Sequence, residues 1–449
     1  MLYRKAAKQI NDWIDNGNDA LLITGARQVG KTYLIRQLLI DKNRDYVEFN
    51  FVKQPHLLSL FASAIKKDEK TFLENLKMAA NKVLKDDAVI FFDEVQECKE
   101  IVTIIKFLVE QGKYKYVLSG SLLGVELRDL RSAPVGYMTT IDMYPLDLEE
   151  FLIANGLNQD VIETLRNCFE RQLPVSDFIH ENLIDAFYKY LIIGGMPEAV
   201  KTFLDTGDYN EVKNVHNKIY REYKRDFTKY EDEKKLKLIN TYDLIPAELN
   251  QKNKRYIFTN LDSELRFNRY ENSFVWLTDA GVALPTFNTT EAEVPLEASK
   301  KSNLFKLFLS DTGMLTSMYG TATIMKLLSK EKEINCGAMF ENFAAQELKA
   351  HGFNNLYYFN NKKHGEVDFL IEYEGEVLPI EIKSGKDYQK HSAMSYFCEK
   401  KFSRGFVFSD YNFSITNNIY YYPIYMLMFI QNDKKIEQIG KLDLSKLSK

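Results

Sequence analysis

The sequence predicts an α/β protein whose N-terminal part is a parallel sheet covered by helices on both faces. Three observations predict it. Four apolar runs alternate with amphipathic helical patterns through residues 1–155, and the loop GARQVGKT joins one such run to a helix. Further on, GEVDFLIEYEGEVLPIEIKSG (365–385) alternates apolar and polar residues around a Glu-Gly, as a β-hairpin does.

The four runs are ALLIT (20–24), YVEFNF (46–51), AVIFF (88–92) and YKYVLSG (114–120). Unbroken apolar strands separated by helices are what a sheet buried on both faces requires. From about 156 to 235 the pattern is helical and increasingly charged, with the turn GGMPEA at 194–199. Residues 236–325 combine short helices with a strand, a long polar loop and a second strand. From about 330, GAMFENFAAQELKAHG (337–352) reads as a long helix ahead of the hairpin.

Composition narrows the function classes. A chain of 449 residues exceeds one core, and length alone suggests about three domains. The 59 basic residues against 63 acidic ones exclude a uniformly basic coat but leave room for a local basic groove. Cys98, Cys168, Cys336 and Cys398 form no CxxC pair and read as reduced thiols of a cytosolic protein. The start MLYRKAAKQINDW has no apolar core of signal-peptide length. The run YYYPIYMLMFI is too short to span a bilayer and contains Pro423. A cytoplasmic protein without a membrane partner is expected.

The loop matches G-x-x-x-x-G-K-[ST] in the strand-loop-helix setting that motif needs. Gly25, Ala26, Arg27, Gln28, Val29, Gly30, Lys31 and Thr32 are therefore expected to cradle the phosphates of ATP. Lys31 would bridge the β and γ phosphates, and Thr32 would ligate Mg2+. AVIFFDE ends in Asp93, which suits the second metal contact, and Glu94, which is placed to orient or deprotonate the attacking water. Ser119, at the end of the fourth run, suits either a γ-phosphate sensor of the AAA type or a helix cap.

In the hairpin, a two-residue turn at Glu374-Gly375 sets Asp368 opposite Glu381, Glu366 opposite Lys383 and Glu372 opposite Val377. Val367, Phe369 and Ile371 then join Leu378, Ile380 and Ile382 on an apolar face. Asp368, Glu381 and Lys383 converge on the other. Two opposed carboxylates in water repel by only ~0.2–1 kcal/mol. The spacing therefore suits a solvated face of ordinary ion pairs as well as a magnesium site with Asp368 and Glu381 as ligands and Lys383 organising water. Glu341 is a further candidate ligand, on a helix face shared with Ala338, Ala344, Ala345 and Leu348.

Taken together, these residues resemble a family of bacterial and archaeal AAA-type ATPases joined to a C-terminal PD-(D/E)XK nuclease-like domain. The resemblance runs through YRKAAKQINDW, GARQVGKT, MYPLDLEEF, GGMPEA, EYKRDFTKY, FKLFLSDTGML, ENFAAQEL, GEVDF and IEIKSG, which is nearly the whole chain. It implies that Glu341, Asp368, Glu381 and Lys383 take the helix Glu, motif Asp and E-x-K positions of the nuclease superfamily, whose members either cleave or only bind. The expected division is a P-loop AAA-type core (1–155), a helical lid (156–235), a winged-helix module (236–328) and the nuclease-like domain (329–449). One departure stands out. The family often has Gly-Arg before the MYP segment, a source of arginine in trans, but this chain has Gly136-Tyr137, with Arg128 and Arg131 as the nearest substitutes.

The middle of the chain carries Arg221, Lys224, Arg225, Lys229, Lys252, Lys254, Arg255, Arg266 and Arg269 among Tyr220, Tyr223, Tyr230, Tyr256 and Tyr270. Phosphate neutralisation with base stacking would suit DNA. Glu222, Asp226, Glu231, Asp232 and Glu233 are mixed in, so a solvated helical face fits too. The leading expectation is an ATP-hydrolysing protein acting on DNA, with Mg2+ at both sites. The rival is a nucleotide-operated switch that binds a protein partner through a non-cleaving tail, and a third reading keeps the tail structural. Oligomeric state stays open, a homo-oligomer included.

Overall fold

The computed structural model describes residues 1–121, 136–227, 232–251, 254–257, 267–330, 336–361, 363 and 365–432, with the backbone alone for 232–234 and 267–272. Arg128, Arg131, Lys229, Tyr230, Glu231, Lys252 and Arg266 lie outside the described residues, as do the side chains of Asp232, Glu233, Arg269 and Tyr270.

Strands β1 (Ala20–Thr24), β2 (Tyr46–Asn50), β3 (Val89–Asp93), β4 (Lys115–Ser119) and β5 (Met138–Asp142) form a parallel sheet in the order β2-β3-β4-β1-β5. Its central strands bury both faces. Leu21, Ile23, Phe91 and Val117 enter one core, and Leu22, Ile90, Phe92 and Leu118 enter the other. That two-sided burial is why these segments read as unbroken apolar runs. β5 escaped the sequence reading because MTTID is an edge strand with only its Ile141 buried.

A second, mixed sheet has eight strands. They are β6 (Ala283–Thr289), β7 (Lys300–Leu309), β8 (Leu356–Asn361), β9 (Gly365–Tyr373), β10 (Glu376–Ile382), β11 (Gly405–Ser409), β12 (Ser414–Thr416) and β13 (Ile419–Pro423). Their order is β12-β13-β11-β10-β9-β8-β6-β7. The expected boundary at 328/329 is crossed by this sheet, because β6 pairs in parallel with β8. The β6–β7 hairpin is thus not a free-standing wing. Its Leu284, Phe305, Leu307 and Phe308 are buried, and an isolated hairpin has nowhere to bury them.

The β9–β10 hairpin has the expected register, from Tyr373↔Glu376 to Phe369↔Ile380. Glu374 and Gly375 sit at φ 56° and 84°, the left-handed pair a two-residue hairpin turn needs. One facing assignment differs. Between the pairs Tyr357↔Leu370 and Phe359↔Val367, β9 advances three residues while β8 advances two. That bulge turns Val367 away from Phe369 and Ile371 and into the core of Leu370 and Val377.

The two sheets share one continuous core, which runs from Ile10 through Phe187, Leu315 and Phe343 to Ile430. At its centre the Gly194-Gly195 turn lies against two other segments. A Cβ on Gly195 would collide with the Leu146 carbonyl, and Gly194 adopts φ +70° beside Asp311. The Asp311 carboxylate accepts from Gly195 N at 2.6 Å and Met314 N at 2.8 Å. Burial pushes that carboxyl up to about 6.

The run YYYPIYMLMFI ends β13 and continues as the buried 3-10 segment Ile424–Phe429. Among the described residues, no helix is long and apolar enough to cross a membrane. All four cysteines are free, and Cys98, Cys336 and Cys398 are buried.

Candidate functional site

The first site lies where β1, β2, β3 and β4 end side by side. Parallel pairing sets Asn50 next to Asp93 and Asp93 next to Ser119. The Asp93 carboxylate accepts from the Thr32 hydroxyl at 2.9 Å, from the Asn50 amide at 2.7 Å and from the Ser119 hydroxyl. Thr32, Asp93 and Ser119 therefore meet, as their positions in sequence imply. Asn50 was missed, though a polar residue one place before the end of the second apolar run was its signal. Carboxyl ends of parallel strands are where open α/β sheets bind ligands.

Lys31 is buried and donates to the Gly25 and Ala26 carbonyls, both at 2.8 Å. Burial pushes its ammonium down to about 8, against the opposing pull of Glu94 and Asp93. Glu94 follows β3 in the left-handed region, at φ 56°, and accepts from the Gln96 amide at 2.5 Å.

The loop between Gly25 and Thr32 is tied from outside. Arg4 is buried and donates to the Val29 carbonyl at 3.0 Å and the Tyr144 carbonyl at 2.6 Å, and pairs with Glu150 at 3.2 Å. On the other side, Arg27 pairs with Asp226 at 2.9 Å and Gln28 donates to Glu222. Asp226 and Glu222 belong to the helix Tyr209–Phe227, in the EYKRDF segment. Its acids thus anchor the loop and are not a solvated face. Tyr223 and Tyr256 are buried in the core, which removes them as stacking surfaces for bases. A cavity of about 750 Å³ opens beside Gly30, lined by Leu2, Tyr3, Tyr33, Pro197 and Leu204 among others.

The second site is built on β9, β10 and the helix Gly337–Ala350. It brings together Glu341, Asp368, Glu381 and Lys383, around a cleft of about 530 Å³. Asp368 accepts from Ile382 N at 2.9 Å, and Lys383 pairs with Glu381 at 2.7 Å. Burial and the neighbouring Glu341 and Glu381 hold the Asp368 carboxyl well above the usual range. Burial also raises Glu381, with Lys383 pulling the other way. The solvated-surface reading of Asp368 and Glu381 is corrected here, since they are only 8% and 6% exposed.

Two lysines the sequence reading did not place here complete the cluster. Lys306 of β7 is fully buried and contacts Glu366 at 2.6 Å and Glu341 at 3.2 Å. Lys254, expected among DNA contacts, pairs with Glu341 instead. Burial raises the Glu341 carboxyl, but Lys254 and Lys306 outweigh it and leave it below the usual range. Glu366 turns to Lys306 and Asn360, not to Lys383. Among the described residues, no three His, Cys, Asp or Glu side chains converge as a metal cage.

Comparison with known families now bears on the first site. A family described as an AAA domain matches residues 17–152. Residues 184–324 match a domain of unknown function, DUF8612, and residues 336–427 match another, DUF4143. No curated protein matches the chain. Among solved structures, the Walker-type ATPase PABY2304 of Pyrococcus abyssi is similar at 15% identity, over 71% of this chain and 96% of that one, with a TM-score of 0.41.

The burial of Lys31 gives nucleotide binding a measurable proton linkage. Free Lys31 titrates near 8, and phosphate oxygens favour its charged form. Nucleotide binding then takes up a proton above pH 8, and affinity falls as pH rises. Calorimetry at pH 9 in buffers of different ionisation enthalpy is expected to read uptake of about one proton. Lys31→Met is expected to abolish it.

Proposed function

We propose that the chain is an ATP-hydrolysing AAA protein whose C-terminal carboxylate–lysine site acts on DNA, with Mg2+ at both sites. The observation that carries the reading is the convergence of Thr32 and Ser119 on Asp93 at the mouth of the phosphate loop. These are hard oxygen donors, which suits magnesium. Thr32 and Asp93 would hold the ion, directly or through water, and it would neutralise phosphate charge. Phosphate oxygens would replace the Gly25 and Ala26 carbonyls on Lys31, while the base enters the cavity lined by Tyr3 and Tyr33. Glu94 would take the proton from the attacking water, with Gln96 fixing its orientation.

At the second site, Glu381 Oε2 is buried with no hydrogen-bond partner among the described residues. An orphaned carboxylate oxygen beside a carboxyl of raised affinity for protons suits a cation there. Asp368 and Glu381 would be its protein ligands, and Lys383 would orient water against a phosphodiester. Arg221 and Arg225, exposed on the helix Tyr209–Phe227, line a cleft of about 320 Å³ that suits backbone phosphates.

The two sites are joined by the helix Gly337–Ala350. Its Glu341 lies in the second site, Asn342 bonds both backbone groups of Leu309, and Gln346 accepts from Thr312 N at 2.9 Å. Glu347 then accepts from Leu148 N at 2.8 Å, next to the Asp147 and Glu150 that hold Lys5 and Arg4. This path supports nucleotide control of the tail. A second reading, the switch that binds a protein partner without cleavage, is favoured by the lysines already engaged with Glu341. Paired assays of plasmid nicking and ATP turnover test both. Nicking in Mg2+ or Mn2+ is expected to disappear in Asp368→Ala, and nicking that survives would remove the proposed cleavage site.

A further inference from the structure

Four carboxylates and three ammonium groups meet in the second site, and their pairing is uneven. Glu341 gives one oxygen to Lys254 and the other to Lys306. Glu366 gives one oxygen to Lys306 and the other to the Asn360 amide. Lys306 Nζ also stands 3.7 Å from Asp368 Oδ1 and over the Tyr358 ring, 5.1 Å from its centroid. It arrives from β7, on a different hairpin from Asp368 and Glu381, and is 0% exposed. A buried ammonium persists only when opposite charges surround it. Among the described residues, the oxygens least engaged are Asp368 Oδ1 and Glu381 Oε2.

We propose that Lys306 is the permanent cation of this site. It is seated among Glu341, Glu366 and Asp368, where a second divalent ion would otherwise stand, so the site takes one exchangeable cation at Asp368 and Glu381. The inference rests on the magnesium reading of those two carboxylates. Glu341 then balances lysine charge and is not a metal ligand.

Mn2+ uptake by the nucleotide-free full chain tests this, read from the electron paramagnetic resonance signal of free Mn2+. Counts are taken as differences from Asp368→Asn, which subtracts uptake at Thr32 and Asp93. Wild type is expected to show one equivalent, and Lys306→Met two, while Lys306→Arg keeps one. Glu341→Gln, nearly isosteric, is expected to keep the equivalent with affinity within about fivefold, less than the loss of a ligand would cost. If Lys306→Met does not fold, Glu341→Gln decides alone. Loss of the equivalent in Glu341→Gln, two equivalents in wild type, or one in folded Lys306→Met overturns the inference while leaving magnesium at the site. No uptake by wild type overturns the magnesium reading itself.

Discussion

Glu94→Gln is expected to bind ATP about as well as wild type while turnover falls by ~10²–10⁴-fold, the usual contribution of a general base. The side chain stands at the end of β3, one residue past Asp93, and is half-buried. Its φ of 56° is a conformation that a non-glycine residue rarely adopts. Gln96, itself buried, grips one carboxylate oxygen and leaves the other for water. The amide keeps the shape and loses only the basicity. Single-turnover hydrolysis with equilibrium binding of a fluorescent nucleotide separates the two effects. Equal turnover in the variant would remove Glu94 from the chemistry.

Arg4→Met is expected to destabilise the chain by ~3–5 kcal/mol, the range for removing one partner of a buried charge pair. Three interactions go at once: the Val29 and Tyr144 carbonyls and the Glu150 carboxylate. Burial and Asp147 already push Glu150 up to about 7. Without Arg4 it would neutralise near neutral pH, which places the loss toward the lower end of that range. Val29 belongs to the phosphate loop, so nucleotide affinity is expected to fall in the folded variant as well. Urea midpoints with and without nucleotide read both losses. Arg4→Lys is expected to recover only part, because a point charge cannot serve three acceptors in a fixed fork. A midpoint shift worth under about 1 kcal/mol would show that the loop does not depend on Arg4.

The first site was legible because its parts follow from local rules. A glycine loop between strand and helix, and polar residues at the ends of apolar runs, are short-range patterns. The hairpin register was legible for the same reason, since turn chemistry sets it. The bulge at Asp368 was not, because it depends on β8, which pairs from the other side. Lys306 was hidden in FKLFLS, where one cation among apolar residues reads as a solvent-facing strand position. Only the assembly of β7, β9 and the helix Gly337–Ala350 shows that three carboxylates surround it. The roles of Asp226 and Glu222 were likewise invisible, because their partners Arg27 and Gln28 lie far off in sequence. The pairing of β6 with β8 across the expected 328/329 boundary leaves no local signal in the sequence.

On the proposed function, one chain couples ATP turnover to DNA through the tail. The turnover arm of the paired assays tests it most directly: hydrolysis at low salt, where phosphate contacts are strongest, with and without duplex DNA. DNA is expected to raise turnover in wild type and in Asp368→Ala, and added salt to remove the stimulation. Turnover indifferent to DNA, with no DNA binding at low salt, would contradict it.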